Sequence, residues 1–266
     1  MDGGRLVGGR TVGAVRIGDT VRRPVQPWTS AVHALLRYLE DAGFAGAPRV
    51  RGFDERGREV LTYLEGETLG AGESPWPEWV FSDTALEQVG GWLRRLHDVT
   101  ADFVPPEGAR WFAGQAWKPG LVVGHHDAAP FNAVWRDRAL VGFVDWDTAG
   151  PSSRELDLAY VALTWVPLHA RRVVAGYGFT AFDDRARRLH LLLDAYGYGG
   201  DRSGFGAHVA RRARVNAAGI RRMAEAGGPA YAALLPAAAD FEKAAAEVEA
   251  LPPEFWAPAV SGGPGP

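Results

Sequence analysis

The polar residues that could do chemistry gather in one stretch of the chain. Gly124-His125-His126-Asp127-Ala128-Ala129-Pro130-Phe131-Asn132 follows the apolar Leu121–Val123, and Asp145-Trp146-Asp147 follows a second apolar run, Val141–Val144. Short apolar runs of this kind read as buried strands. His125, Asp127 and Asn132 are therefore expected on a loop beside Asp145. Two carboxylates and an amide oxygen are hard donors, suited to magnesium rather than zinc. Asn132 and Asp145 can hold such an ion against phosphate oxygens, while Asp127 stands far enough away to orient or deprotonate a hydroxyl. Phosphoryl transfer needs this division of labour, because its catalysis is mostly positioning and charge neutralisation. Taken singly, each residue would read as loop capping, since Asp and Asn favour turns.

The elements that must position this set are legible on both sides of it. Arg5–Val7, Thr11–Ile17 and Thr20–Arg23 read as short strands, with Gly18-Asp19 as a hairpin turn. Pro24 and Pro27 end that ladder, and Thr29 or Ser30 can cap a helix in which Val32, Leu35, Leu36 and Leu39 form one apolar stripe. Arg49–Phe53 and Glu59–Leu64 bracket a second turn at Asp54–Gly57. A Gly- and Pro-rich loop from Glu65 to Pro77 follows. Beyond it the pattern turns helical: Leu86, Val89, Leu93 and Leu96 make a stripe, and Ser152-x-x-Glu155 reads as a capping box ahead of Leu156, Ala159, Tyr160 and Leu163. Residues 185–197, 207–225 and the Ala/Glu-rich Ala230–Ala250 complete the helices. The expected fold is α+β: a strand-rich unit over 1–65, a linker over 66–77, a helical unit over 78–258 and a disordered tail over 259–266.

The ordered set His125-x-Asp127-x4-Asn132, Asp145-Trp146-Asp147 and Asp157-Leu158-Ala159 resembles the aminoglycoside phosphotransferase and choline-kinase-like family. The resemblance covers most of the chain and implies a two-lobed protein kinase-like fold, with a small antiparallel-sheet N-lobe, a hinge near Tyr63–Gly66 and a mainly helical C-lobe. It implies a kinase that moves the γ-phosphoryl of ATP or GTP, with Mg2+, to a hydroxyl of an amino-sugar, amino-alcohol or similar metabolite. Carried over, Asp127 is the catalytic aspartate and Asn132 and Asp145 are the magnesium ligands. His125 props the catalytic loop and Asp157 steadies it from beneath. Asp147, ranked below Asp145, would be an auxiliary ligand or a residue behind the ligands. Glu65 and Gly66 would offer backbone groups to the nucleotide base, and Gly8 and Gly9 would let the backbone approach its phosphates.

The chain departs from that pattern in its N-lobe. The family places a lysine on the third strand, paired with a glutamate on the next helix, but the only lysines here are Lys118 and Lys243. Arg22 is the best positional substitute and Arg23 the alternative, each able to bind phosphate as a planar cation. The first helix turn carries Val32 and His33 where the glutamate is expected, so the ion pair lacks an evident counterpart. His126 also fills a position where the family commonly has a small residue, often glycine. These departures support a rival reading, a pseudokinase that binds nucleotide or a protein partner without turnover. A second rival is a dinuclear metal hydrolase using His125, His126, Asp127, Asp145 and Asp147.

Composition narrows the remaining classes. The 266 residues carry 29 Lys+Arg against 32 Asp+Glu, a formal charge of −3, without the positive surplus of a bulk nucleic-acid binder. With no cysteine there is no thiolate nucleophile, no Cys-ligated zinc and no disulfide. The first 25 residues lack the apolar core of a signal peptide, and Ala159–Leu168 is too short to span a bilayer. A cytoplasmic protein with no membrane segment is expected. Arg211, Arg214, Arg221 and Arg222 read as one solvated helix face, and the acidic run Asp240, Glu242, Glu247, Glu249 and Glu254 as another.

Overall fold

The computed structural model describes residues 13–70, 75–227 and 229–257. Arg5–Val7, Gly8, Gly9 and the tail over 259–266 lie outside the described residues.

The N-terminal unit is a four-stranded antiparallel sheet with one helix. Strands β1 (Val15–Ile17) and β2 (Thr20–Arg23) form the first hairpin, turning at Gly18 with φ +62°, a conformation glycine adopts without strain. Helix α1 (Thr29–Asp41) then buries Val32, Leu35, Leu36 and Leu39. Strands β3 (Val50–Phe53) and β4 (Glu59–Thr62) are joined by a turn in which Asp54 Oδ1 accepts the amides of Arg56 and Arg58. The strand order is β1-β2-β4-β3, and the register sets Arg23 opposite Glu59.

The chain then crosses into the helical unit. The expected linker contains a short strand, β5 (Glu67–Thr68), which pairs with Trp135 and Val134 of a later strand. Helix α2 (Asp83–Thr100) is capped by Ser82, whose Oγ accepts the Ala85 amide at 3.2 Å. Strands β6 (Val122–Gly124), β7 (Ala133–Arg136), β8 (Ala139–Phe143) and β9 (Gly150–Ser152) frame the polar loops: β5-β7-β8 make one sheet and β6-β9 a separate pair. Helices α3 (Arg154–Trp165), α4 (Arg171–Gly176), α5 (Arg185–Tyr196), α6 (Phe205–Glu225), α7 (Pro229–Ala232), α8 (Leu235–Glu249) and α9 (Pro253–Trp256) complete the molecule.

Three expectations change. Ser153, not Ser152, caps α3: its Oγ accepts the Leu156 amide at 3.3 Å, while Ser152 ends β9 with a buried, unpartnered hydroxyl. The expected Ala230–Ala250 helix is broken, and α8 restarts with Pro236 in its first turn, where a missing N–H costs nothing. The basic and acidic faces are solvent-exposed as expected, but they pair with one another. Arg214 pairs with Glu249 at 2.6 Å, Arg221 with Glu242, and Arg172 with Asp240, so α8 is laced to α6 and α4.

One apolar core runs from α1 to Trp256. The Gly46 carbonyl after α1 accepts the Phe143 amide at 3.2 Å and the Trp92 indole N–H at 3.3 Å, joining the two units at backbone level. Gly142 is needed there, because a Cβ on it would lie 2.3 Å from the Gly46 oxygen. Trp76, Trp111, Trp165 and Trp256 are buried core residues. Among the described residues, no helix is long and apolar enough to cross a membrane.

Candidate active site

Strands β6 and β9 pair at Gly124 and Gly150, and the polar loop leaves from that ladder. Asp157, in the first turn of α3, holds the loop by its backbone. Oδ2 accepts the His125 amide at 3.2 Å and Oδ1 accepts the His126 amide at 3.0 Å. His97 of α2 reaches the same Oδ2 at 3.0 Å and meets the Tyr196 hydroxyl at 2.8 Å through its other nitrogen. Burial works to raise the Asp157 pKa, but the His97 hydrogen bond and the nearby His126 and Arg212 outweigh it and hold the carboxyl well below its usual range. Gly124 makes the approach possible: a Cβ there would sit 2.4 Å from Asp157 Oδ2.

His125 ties the loop to the Asp145 segment. Burial pushes its pKa down to about 4, so the ring is neutral at pH 7. Nδ1 accepts the Asp127 amide at 3.2 Å, which leaves Nε2–H to donate to the Val144 carbonyl at 3.1 Å. The His125 carbonyl accepts the Thr148 hydroxyl at 3.0 Å, on the far side of Asp145. His126 has φ +65°, a conformation that disfavours every side chain and explains why glycine suits this position. Its ring is buried and its carbonyl accepts Arg212 Nη2 at 2.7 Å.

Asp127 and Asn132 are brought together. Asn132 Nδ2 donates to Asp127 Oδ2 at 2.9 Å and to the Asp127 carbonyl at 2.9 Å. With its nitrogen so engaged, Asn132 presents its amide oxygen as the remaining acceptor. The Val144 amide donates to the Asn132 carbonyl at 3.0 Å, setting Asn132 beside the strand end that delivers Asp145. Asp145 itself is left-handed, at φ 63° and ψ 61°, where the chain turns out of β8.

The N-terminal cation that reaches this centre is Arg23, not Arg22. Side chains alternate along β2, and Arg22 sits opposite Val15 and Val60. Arg23 is buried, with Nε 2.6 Å from Glu59 Oε1, Nη2 2.9 Å from Asp147 and Nη1 3.5 Å from Asp145. Glu59 Oε2 in turn meets His33 of α1 at 2.8 Å. The missing ion pair therefore has a counterpart, with the carboxylate on strand β4 and histidine in the helix. At the hinge, the Glu65 carbonyl accepts Arg136 Nη2 at 2.8 Å and its side chain pairs with Arg16, so some of the expected nucleotide-facing backbone is already engaged. Gly66 packs where a Cβ would fall 2.5 Å from the Trp135 oxygen.

The donors suit a divalent cation. One arginine faces three carboxylates, Glu59, Asp145 and Asp147, leaving a negative excess of hard oxygen donors. The dinuclear hydrolase is not supported: both His125 ring nitrogens are engaged and His126 is buried. Among the described residues, no group of three or more His, Asp or Glu is set to hold a metal.

Residues 109–191, which include Asp127, Asn132, Asp145 and Asp157, match the phosphotransferase enzyme family. The chain is also 42% identical over 197 residues to the trifolitoxin immunity protein of Rhizobium leguminosarum bv. trifolii, covering 72% of this chain and 73% of that protein. The chain belongs to the phosphotransferase enzyme family. Its fold is the kinase-like α+β fold of solved relatives. A choline/ethanolamine kinase family protein from Mesorhizobium loti superposes with a TM-score of 0.57 at 18% identity, covering 91% of this chain and 86% of that one. An amicoumacin kinase in complex with AMP-PNP and Ca2+ gives 0.57 at 12% identity, covering 90% and 86%. Within this phosphotransferase-family chain, sequence reasoning left Glu59, His33, His97, Tyr160 and Arg212 unassigned. Tyr160 carried a usable signal, since it lies one helical turn after Asp157 and so on the same face.

Proposed function

We propose that the chain transfers the γ-phosphoryl of ATP or GTP, with Mg2+, to a hydroxyl of a small molecule such as an amino-sugar or amino-alcohol. Asp127 orients the acceptor hydroxyl and takes its proton. Asn132 and Asp145 hold the magnesium, whose charge screens the phosphate oxygens. Arg23 takes the place of the missing lysine against the phosphates, with Glu59 and His33 fixing its guanidinium. His125 and Asp157 support the loop, and Glu65 and Gly66 border the nucleotide base. The proposed residues Gly8 and Gly9 lie outside the described residues. The nucleotide and magnesium this reading requires place the reaction in the cytoplasm.

The observation that carries the reading is that Arg23 of β2 meets Asp145, while Asn132 meets Asp127 on the loop hung from Asp157. The same observation weighs against an inactive nucleotide binder, because the cation whose absence suggested it is present on β2. The acidic residues of α8 pair with arginines, so they give no special collector for a polycationic sugar. The name of the Rhizobium relative directs the acceptor screen first to hydroxyl-bearing toxins and antibiotics, then to metabolites.

Calorimetric titration with Mg·ATP and Mg·GTP tests the site. Binding of one nucleotide that needs magnesium and disappears in Asp145→Ala is the expected result. Phosphoryl transfer by the wild type and its loss in Asp127→Ala complete it. Binding without any turnover across the screen returns the pseudokinase reading.

A further inference from the structure

Asp127 can work only if its carboxylate is held at a fixed angle to the acceptor, and the terminal torsion of an Asp side chain is intrinsically broad. Asn132 fixes one oxygen. The Tyr160 hydroxyl donates to the other, Oδ1, at 2.5 Å. A carboxylate oxygen has two lone-pair directions, so a single positioning donor does not use it up. Tyr160 is itself immobilised: it is 5% exposed, and the Arg212 guanidinium lies 5.0 Å from its ring centroid. Arg212 also bonds the carbonyl of His126, the residue before Asp127. One turn of α3 thus controls the loop twice, Asp157 by its backbone amides and Tyr160 by the carboxylate of its central residue.

We propose that Tyr160 is a positioning residue for phosphoryl transfer: with Arg212 behind it, its hydroxyl locks the Asp127 carboxylate in the orientation that meets the acceptor. This rests on the phosphotransferase reading of Asp127. Because its hydroxyl bonds the Asp127 carboxylate, Tyr160 acts on the chemical step and leaves nucleotide binding alone.

The test uses the full chain with Mg·ATP or Mg·GTP, whichever binds, and follows nucleotide turnover with water and with each screened hydroxyl compound as acceptor. Tyr160→Phe keeps the ring and its packing and removes only the donor, and an unchanged thermal midpoint confirms that it folds. Turnover falls by about 10- to 100-fold, the scale of a small misplacement of reacting groups, while the calorimetric nucleotide affinity stays within about twofold of wild type. Adding Tyr160→Phe to Asp127→Ala lowers turnover no further, because Tyr160 acts through Asp127. A structural role would instead weaken nucleotide binding or reduce the Asp127→Ala background as well, and either result overturns the proposal. Turnover lost in Asp127→Ala but intact in Tyr160→Phe sinks this inference alone. Turnover insensitive to Asp127→Ala, or absent in every variant with every acceptor, overturns the phosphotransferase reading and this inference together.

Discussion

Arg23 concentrates the physics of the site. Its guanidinium meets Glu59 and Asp147 with separate nitrogens, a geometry that a lysine ammonium does not reproduce. Burial opposes its charge, and Asp147, Glu59 and Asp145 together reverse that, raising its pKa. Removing the cation leaves buried carboxylates uncompensated, so Arg23→Met is expected to lose about 3–5 kcal/mol at pH 7 in urea denaturation. The sign of its pH dependence follows from Asp147, whose pKa burial already raises in spite of Arg23. A carboxylate with a raised folded pKa penalises the fold at high pH and ceases to do so as pH falls through that value. The gap between Arg23→Met and wild type should therefore narrow on acidification, and a gap that widens would contradict the pairing. The types and spacing of Asp127, Asn132 and Asp145 were readable without coordinates. The choice between Arg22 and Arg23 was not, because it depends on which face of β2 turns toward Asp145 and Asp147. Glu59 was hidden for a related reason: a cross-strand partner is fixed by register.

Helix α3 shows what a single element contributes. Its cap is Ser153, so Ser153→Ala is expected to cost about 1 kcal/mol. Ser152→Ala removes a buried hydroxyl that has no partner and should be near neutral or stabilising. Equal losses at both positions would contradict the placement of the cap. Gly124→Ala drives a methyl group into Asp157 and is expected to cost about 1–3 kcal/mol by overpacking, with weaker hold on the His125 and His126 amides. Amide hydrogen exchange at those two residues measures the second effect. The α3 periodicity was legible in Leu156, Ala159 and Leu163, but the one-residue shift of its cap came from β9, whose pairing with β6 claims Ser152.

For the whole molecule, two properties follow from a shared interior. The Gly46 contacts and the common core couple the N-terminal sheet to the helices, so that they unfold cooperatively. Calorimetric unfolding should give one transition, and two resolved transitions would show that the sheet and the helices are independent. Burial also depresses His125 and His169 to about 4 and His126 to about 3, against an ordinary 6.5. A histidine with a depressed folded pKa binds its proton only after unfolding, so stability is lost as pH falls below 6.5 toward those values, by up to about 1.4 kcal/mol per pH unit for each. The unfolding midpoint should be level from about pH 7 to 8 and fall steeply between pH 6 and 4. The exposed pairs between α6 and α8 are worth little individually, and added salt should move the midpoint only slightly.

Local order determined the chemistry. The ordered motif from His125 to Asp157, the hairpins and the apolar stripes of α1 and α2 are properties of neighbouring residues, and sequence alone identified them and the family they imply. Tertiary structure decided whatever joins residues remote in the chain: Arg23 with Glu59 and Asp147, His97 with Asp157, Tyr160 and Arg212 with the His125–Asn132 loop, and the arginines of α6 with the carboxylates of α8. Periodicity shows that a residue faces inward or outward. Only the packed fold supplies the partner, because partners are chosen by strand register and helix contacts that no local pattern contains.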